Sequence, residues 1–335
     1  KRGGLGIRCP TETAKDAYQM LVEGTAKVVE AVRQGTDLVE EEHNDQLREV
    51  RRKMKARWEK EEEENVERLV ADLPKRPKWA LERVRKENMS GWLTVGPSKQ
   101  YGFDLSREML RDRLNLRHGQ ELRGLPSVCD GCGAPFSLEH ALNCKKGGNI
   151  KLGHDQVRDE CIHLCTMAYG AAGVKKEPFL REASSGNVRD KDLRADFLAI
   201  GVWERQRVAF FDNCILDADA PSRFDRNTSY VTAMRAALQE KKTRYLERCE
   251  EMAGSFTPLV CTVDGVFHRE VVAFMKRVAA VLAGKWGKSY EEVMRWVRIR
   301  LQFALIRAVD LRLRGSRMRF HGAGFSDGAG LCRVF

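Results

Sequence analysis

Apolar residues in the first quarter of the chain recur at helical spacing. They predict an amphipathic helix around Ala14 to Val32, then a long charged helix from Thr36-Asp37 to Leu73-Pro74. Along the long helix Leu47, Val50, Met54 and Trp58 stand three or four apart, lapse through Glu61 to Glu64, and resume at Val66, Leu69 and Leu73. Such a narrow stripe with solvated flanks suits a spacer or arm. Pro74 and Pro77 close it. A short helix (Trp79 to Lys86), a Gly-Pro turn and a helix from Ser106 to His118 follow, with Trp92, Leu93, Phe103, Leu105, Leu110 and Leu114 packing a small collar. From His154 the period alternates between 3.6 and 2. It reads as a helix to Tyr169, strands over Leu193 to Ile200 and Val208 to Leu216, a helix over Tyr230 to Met252, a strand over Phe256 to Val263, and helices over His268 to Ala283 and Tyr290 to Arg314. That order implies an α/β domain with a small mixed sheet.

Composition narrows the class. With 335 residues, 42% hydrophobic and 32% charged, the chain has enough apolar surface for two or three domains. No apolar run approaches a membrane span, so no membrane partner is expected. The formal charge is +11, and Phe267 to Phe320 carries 13 Lys/Arg against 4 Asp/Glu, so most of the surplus lies at the C-terminal end and favours a polyanion. Within the last helix Arg300, Arg307 and Arg314 recur every seven residues, a candidate phosphate-contacting stripe. A solvated arginine face is the plainer alternative.

Of the 10 cysteines, three fall in one cluster, Cys129-x2-Cys132-x7-His140-x3-Cys144. A CxxC turn presents two sulfurs to one ion, and a later imidazole and thiolate complete a tetrahedron, so the spacing predicts a closed, structural zinc site. The remaining cysteines (Cys9, Cys161, Cys165, Cys214, Cys249, Cys261, Cys332) are scattered as small buried hydrophobes are, which suits a reducing compartment.

A second constellation begins 52 positions after Cys144. Asp196 closes Leu193-Arg-Ala-Asp, and Asp212 closes the apolar run Val208-Ala-Phe-Phe-Asp. A carboxylate in a buried strand needs a partner, and a divalent cation is a good one. Two such carboxylates with a nearby lysine provide what metal-assisted phosphodiester cleavage needs. Lys241 and Lys242 stand on the next helix, where adjacent positions diverge by about 100°, so only one of them points inward. Tyr245, one turn on, either positions a phosphate or packs. His154 and Arg158, one turn apart, either face nucleic acid or serve as cap and surface residues.

These motifs together resemble the C-terminal region of a site-specific non-LTR retrotransposon polyprotein that carries a restriction-like endonuclease. The opening Lys1-Arg-Gly-Gly-Leu-Gly-Ile resembles the stretch near the reverse transcriptase thumb, and reads as a piece of a longer polypeptide. Cys129, Cys132, His140 and Cys144 match the zinc knuckle. His154 and Arg158 resemble the family's His/Arg-bearing helix, while Arg194-x-Asp196, Phe211-Asp212 and Lys241-Lys242-x2-Tyr245 match the endonuclease signature. The resemblance implies a PD-(D/E)xK fold and a magnesium-dependent endonuclease that nicks target DNA to prime reverse transcription. Structural Zn2+ and catalytic Mg2+, target DNA and element RNA as partners, and a nuclear location go with it. Ala195 stands where the motif has proline, and Cys214 where the wider superfamily has its lysine. The implied organisation is a helical linker over 1–126, the knuckle over 127–150, the endonuclease domain over 151–320 and a tail over 321–335. The rival reading is a zinc-dependent nucleic-acid-binding module without catalysis.

Overall fold

A computed structural model describes residues 10–181 and 193–318; the opening stretch, Cys9, Cys332 and the tail expected over 321–335 lie outside them. The chain divides into two compact units, Lys1–Lys86 and Glu87–Phe335. The stretch 87–126, grouped by sequence with the linker, therefore packs with the second unit.

The first unit is helical. Where one helix is expected over Ala14 to Val32 there are two, α1 (Pro10–Gly24) and α2 (Ala26–Gln34), followed by α3 (Glu40–Asp72) and α4 (Lys75–Lys86). The break falls at Gly24, where an added Cβ would lie 2.9 Å from Leu47 Cδ2, so glycine lets α3 approach closely. Glu40, Glu41 and Glu42 open α3 where its dipole favours negative charge. Its stripe buries Val50 and Met54, and the Trp58 indole donates to Asp16 Oδ2 at 2.9 Å.

The second unit is a mixed helix and sheet domain built around a small mixed sheet, the coarse architecture expected from sequence. Before the sheet come α5 (Arg107–Arg117), α6 (Leu138–Asn143) and α7 (Asn149–Tyr169). The sheet runs in the order β1 (Val174–Lys176), β4 (Phe197–Ile200), β5 (Val208–Leu216), β6 (Ser255–Thr262), with β5 and β6 parallel and the other pairs antiparallel. A separate ladder pairs β2 (Phe179–Arg181) with β3 (Leu193–Arg194). The single strand expected over Leu193 to Ile200 is thus interrupted at Ala195-Asp196. After β5 come α8 (Pro221–Phe224) and α9 (Tyr230–Glu251), and after β6 come α10 (Arg269–Trp286) and α11 (Tyr290–Arg314).

Alternation along β5 decides which side each residue serves. Phe211 packs with Phe197 and Leu259 into a core shared with α7, α10 and α11, its ring stacked on Phe197 at 4.7 Å. Phe210 faces the other way, into a smaller core with Tyr245 and Cys249 of α9. Asp212, two residues from Phe210, therefore emerges on the α9 side. Helices α7 and α11 cross tightly at Gly153, where a Cβ would meet the Ala308 carbonyl oxygen at 2.6 Å. That neighbour is backbone and cannot rotate away. Gly153→Ala is expected to lower stability by about 1–3 kcal/mol, read as a reduced urea midpoint at unchanged slope. Among the described residues no helix is long and apolar enough to cross a membrane.

Candidate metal centres

The Cys129/Cys132/His140/Cys144 group could hold a metal ion such as zinc. Its ligand atoms all lie within 4.8 Å of one another. Cys129 Sγ stands 3.9 Å from Cys144 Sγ, Cys132 Sγ is 4.0 Å from Cys144 Sγ, and Cys132 Sγ is 3.4 Å from His140 Nε2. A zinc tetrahedron with Zn–S bonds of about 2.3 Å has S···S edges of about 3.8 Å, so the cage already has the size the ion needs. Local sequence builds it. The Cys129 N–H donates to the Ala134 carbonyl at 2.9 Å, Gly133 takes φ +74° to close the turn, and Ser137 caps α6 by accepting from the His140 N–H at 3.2 Å. Burial would raise the Cys129 thiol, but the backbone N–H groups of Gly131 and Cys132 and the His140 side chain draw it down to about 6, which favours the thiolate a metal requires.

This module shares its core with the α/β domain. Ala141 and Leu142 pack with Val157, Leu305, Ala308, Val309 and Leu313, so the knuckle, α7 and α11 bury one another. The chain leaving α11 fastens it further. Asp130 Oδ2 accepts from Ser316 Oγ at 2.7 Å and from the Arg317 N–H at 2.8 Å, and the Arg317 guanidinium lies 4.9 Å from the Phe136 ring. At Gly131 an added Cβ would stand 2.6 Å from Arg317 Cβ, so glycine lets this chain pass close.

The structure brings Asp196 and Asp212 near one another. Asp196 sits in the break between β3 and β4, its N–H donating to the Phe211 carbonyl at 3.0 Å, and its Oδ2 accepts from the Asn213 N–H at 2.5 Å. Its carboxylate is thereby set beside Asp212, whose side chain is almost wholly buried. Burial first, and the Asp196 charge second, push Asp212 above the usual carboxylate range, against the charge of Lys241 and the hydroxyl of Tyr245. The Ala195 N–H donates to the Pro178 carbonyl at 3.1 Å. A proline at this position would lose that bond.

Of the paired lysines, Lys241 is the one that points inward. Its ammonium stands 2.6 Å from Asp212 Oδ2, as an ion pair rather than along a hydrogen-bonding angle. Burial would lower its pKa, but Asp212 outweighs burial and keeps Lys241 above its ordinary value. Cys214 of β5 lies close enough for each to shift the other's titration. Lys242 lies on the side of α9 toward His268. Tyr245 does two things. Its ring stacks on Phe256 with centroids 5.2 Å apart, and its hydroxyl lies near enough to Asp212 for each group to shift the other's titration.

His154 belongs to this site more directly than sequence suggested. Its Nε2 lies 2.9 Å from Asp196 Oδ2 and 3.2 Å from the Asn213 carbonyl, and its Nδ1 is 3.3 Å from Asp155 Oδ1. Burial would depress its pKa, yet the Asp196 hydrogen bond and charge, backed by Asp155 and Asp212, raise it. Asn213 and Asp155 were missed by sequence reasoning. Asn213 contributes through its backbone, which leaves no signal in residue type, and Asp155 was visible only as a neighbour of His154.

The arginines occupy other places than expected. Arg158 is buried, its guanidinium held by Asp155 at 2.8 Å, Asp159 at 2.9 Å and Glu177 at 2.7 Å, so it clamps α7 to the edge of the sheet instead of facing nucleic acid. The heptad arginines are also engaged within the protein. Arg300 meets both oxygens of Glu160 at 2.7 and 2.9 Å, Arg307 donates to the Gly102 and Asp104 carbonyls, and Arg314 meets both oxygens of Asp112 at 2.6 and 2.9 Å. The anticipated phosphate stripe is therefore a seam: Arg307 and Arg314 fasten the collar to α11, and Arg300 ties α11 to α7. Because Asp112 is buried, Arg314→Ala would leave its carboxylate without its main counter-charge, an expected loss of about 3 kcal/mol measured by chemical unfolding.

No protein-family model matches the chain, and no curated protein matches it closely enough to count as a relative.

Proposed function

We propose that the chain is a metal-dependent DNA endonuclease of the restriction-like type, which nicks target DNA so that the exposed 3′ hydroxyl primes reverse transcription by a larger retrotransposon polyprotein. The observation carrying this reading is the Asp196/Asp212 pair beside Lys241, with one carboxylate buried where negative charge is costly. The donor set fits a hard divalent cation. Its oxygens are carboxylate, and a cation would offset the repulsion that raises Asp212. Asp196 and Asp212 would hold magnesium, which when bound polarises a phosphate and lowers the pKa of an attacking water.

The chain's own residues prepare that site. His154 and the Asn213 N–H fix the Asp196 carboxylate, and the Tyr245 hydroxyl lies beside Asp212. The Lys241 ammonium stands where it would meet charge developing on a phosphate oxygen. Within this reading the PD-(D/E)xK architecture, the zinc in the knuckle, target DNA, element RNA and a nuclear place of action follow together. The binding module without catalysis draws on one observation: Lys241 and His154 already pair both carboxylates internally. Nicking of supercoiled plasmid with and without magnesium separates the two readings.

A further inference from the structure

The basic C-terminal end looked in sequence like a surface for a polyanion, but most of its cations are tied down. Arg277 donates to the Val202 carbonyl, Lys285 to the Met167 carbonyl, and Arg300, Arg307, Arg314 and Arg317 are held as described. Its uncommitted cations Arg269 and Lys276 gather with Arg235 of α9 at one place. Between the first half of α9 and the start of α10 runs an open groove of about 1100 Å³. Met234, Leu238, Val266 and Phe267 line it with apolar surface, Arg235, Arg269 and Lys276 line it with positive charge, and the one lining carboxylate, Glu87, accepts from the Tyr230 hydroxyl at 2.8 Å. Among the described residues Arg235 and Lys276 make no ion pair or hydrogen bond through their side chains, and Arg269 only approaches Glu270, at 3.9 Å with its own side chain 84% exposed. Lys242, seven residues on from Arg235, falls on the same face of α9 and adds a fourth cation beside the groove. Burial lowers the His268 pKa first, and the charges of Arg269, Arg235 and Lys242 lower it further.

We infer that this groove seats single-stranded DNA flanking the phosphodiester held at Asp196 and Asp212, with the cations on phosphates and the apolar floor against bases. The combination is selective. A small anion has no use for the apolar floor, and a lipid tail has none for the cations. A duplex hides its base faces, whereas a single strand offers both a charged backbone and π surfaces. Helix α9 joins the two places: Lys242 lies toward His268 in the groove lining, and the next residue back, Lys241, reaches Asp212. The choice of DNA rests on the endonuclease reading; the polynucleotide chemistry of the groove does not.

The test is binding of fluorescent oligothymidylate to the full chain without added magnesium. Arg235→Gln with Lys276→Gln, both at exposed positions, should weaken binding at least tenfold and reduce the slope of log affinity against log salt by about 1.4, the share of two phosphates on a single strand. Val231→Trp, which fills the groove from an exposed position without changing charge, should weaken binding too. Unchanged affinity and slope in these variants would overturn the inference, as would tighter binding of oligouridylate or an equal loss for duplex DNA. The two readings fail separately. A wild-type protein that never nicks while the groove variants lose DNA leaves the groove standing and removes the chemistry; normal nicking with groove variants that bind as the parent does the reverse.

Discussion

Exchange of Cys144 for Ser is expected to abolish stoichiometric zinc and to unfold more than the knuckle. Structural zinc in finger-like sites supplies about 10–16 kcal/mol, as large as the whole stability of an ordinary domain at about 5–15 kcal/mol. Here the metal cluster is not an appended bead. Ala141 and Leu142 beside the ligands share a core with Leu305, Ala308 and Leu313 of α11, and Asp130 holds the chain that leaves α11. Losing the ion should therefore loosen α11 against α7 and expose apolar surface along both. Elemental analysis should find about one zinc per parental chain and none in the variant, and the variant's thermal midpoint should fall by more than ten degrees, since about 1 kcal/mol moves the midpoint of a domain this size by about 2–4 °C. Parental protein without zinc, or a variant that melts with the parent, would contradict this.

The second large effect is asymmetric between neighbours. Lys241→Ala should reduce nicking by about 100-fold or more, the scale of removing one donor that stabilises developing negative charge, whereas Lys242→Ala should leave the rate of cleavage at saturating DNA close to parental. The asymmetry follows from the 2.6 Å contact of Lys241 with Asp212 and the different face taken by Lys242. Equal losses in both variants would mean that the pair acts only as surface charge.

How far sequence could see depends on what each pattern encodes. Val208 to Leu216 was legible as a strand because apolar stretches on both sides of Asp212-Asn213 are what a strand covered on both faces requires, and α11 was legible over its full length from its period. The two edge pieces β1 and β2 were not. Each is three residues long, and Val174-Lys-Lys carries no alternation strong enough to register. Asp196 and Asp212 were readable as a pair because each borders an apolar stretch, Phe197-Leu-Ala-Ile after the one and Val208-Ala-Phe-Phe before the other; their closeness depends on the break at Ala195-Asp196, which the continuous pattern over Leu193 to Ile200 concealed. The heptad of arginines shows the opposite case. Periodicity correctly put Arg300, Arg307 and Arg314 on one face but was silent on what covers it, and Gly102, Asp104, Asp112 and Glu160 do so from segments 140 to 205 residues away in sequence. The same limit hid the groove beside α9, whose lining comes from two helices and the loop before α10.

If Asp196 and Asp212 form a metal site for phosphodiester cleavage, supercoiled plasmid in magnesium should distinguish the parent from Asp212→Asn. Nicked circles are expected from the parent only when magnesium is present and none from Asp212→Asn, with DNA binding by that variant as tight as the parent's or tighter, because one negative charge facing the phosphates is gone. Parental protein that leaves the plasmid intact, or an Asp212→Asn variant that nicks at the parental rate, would contradict it.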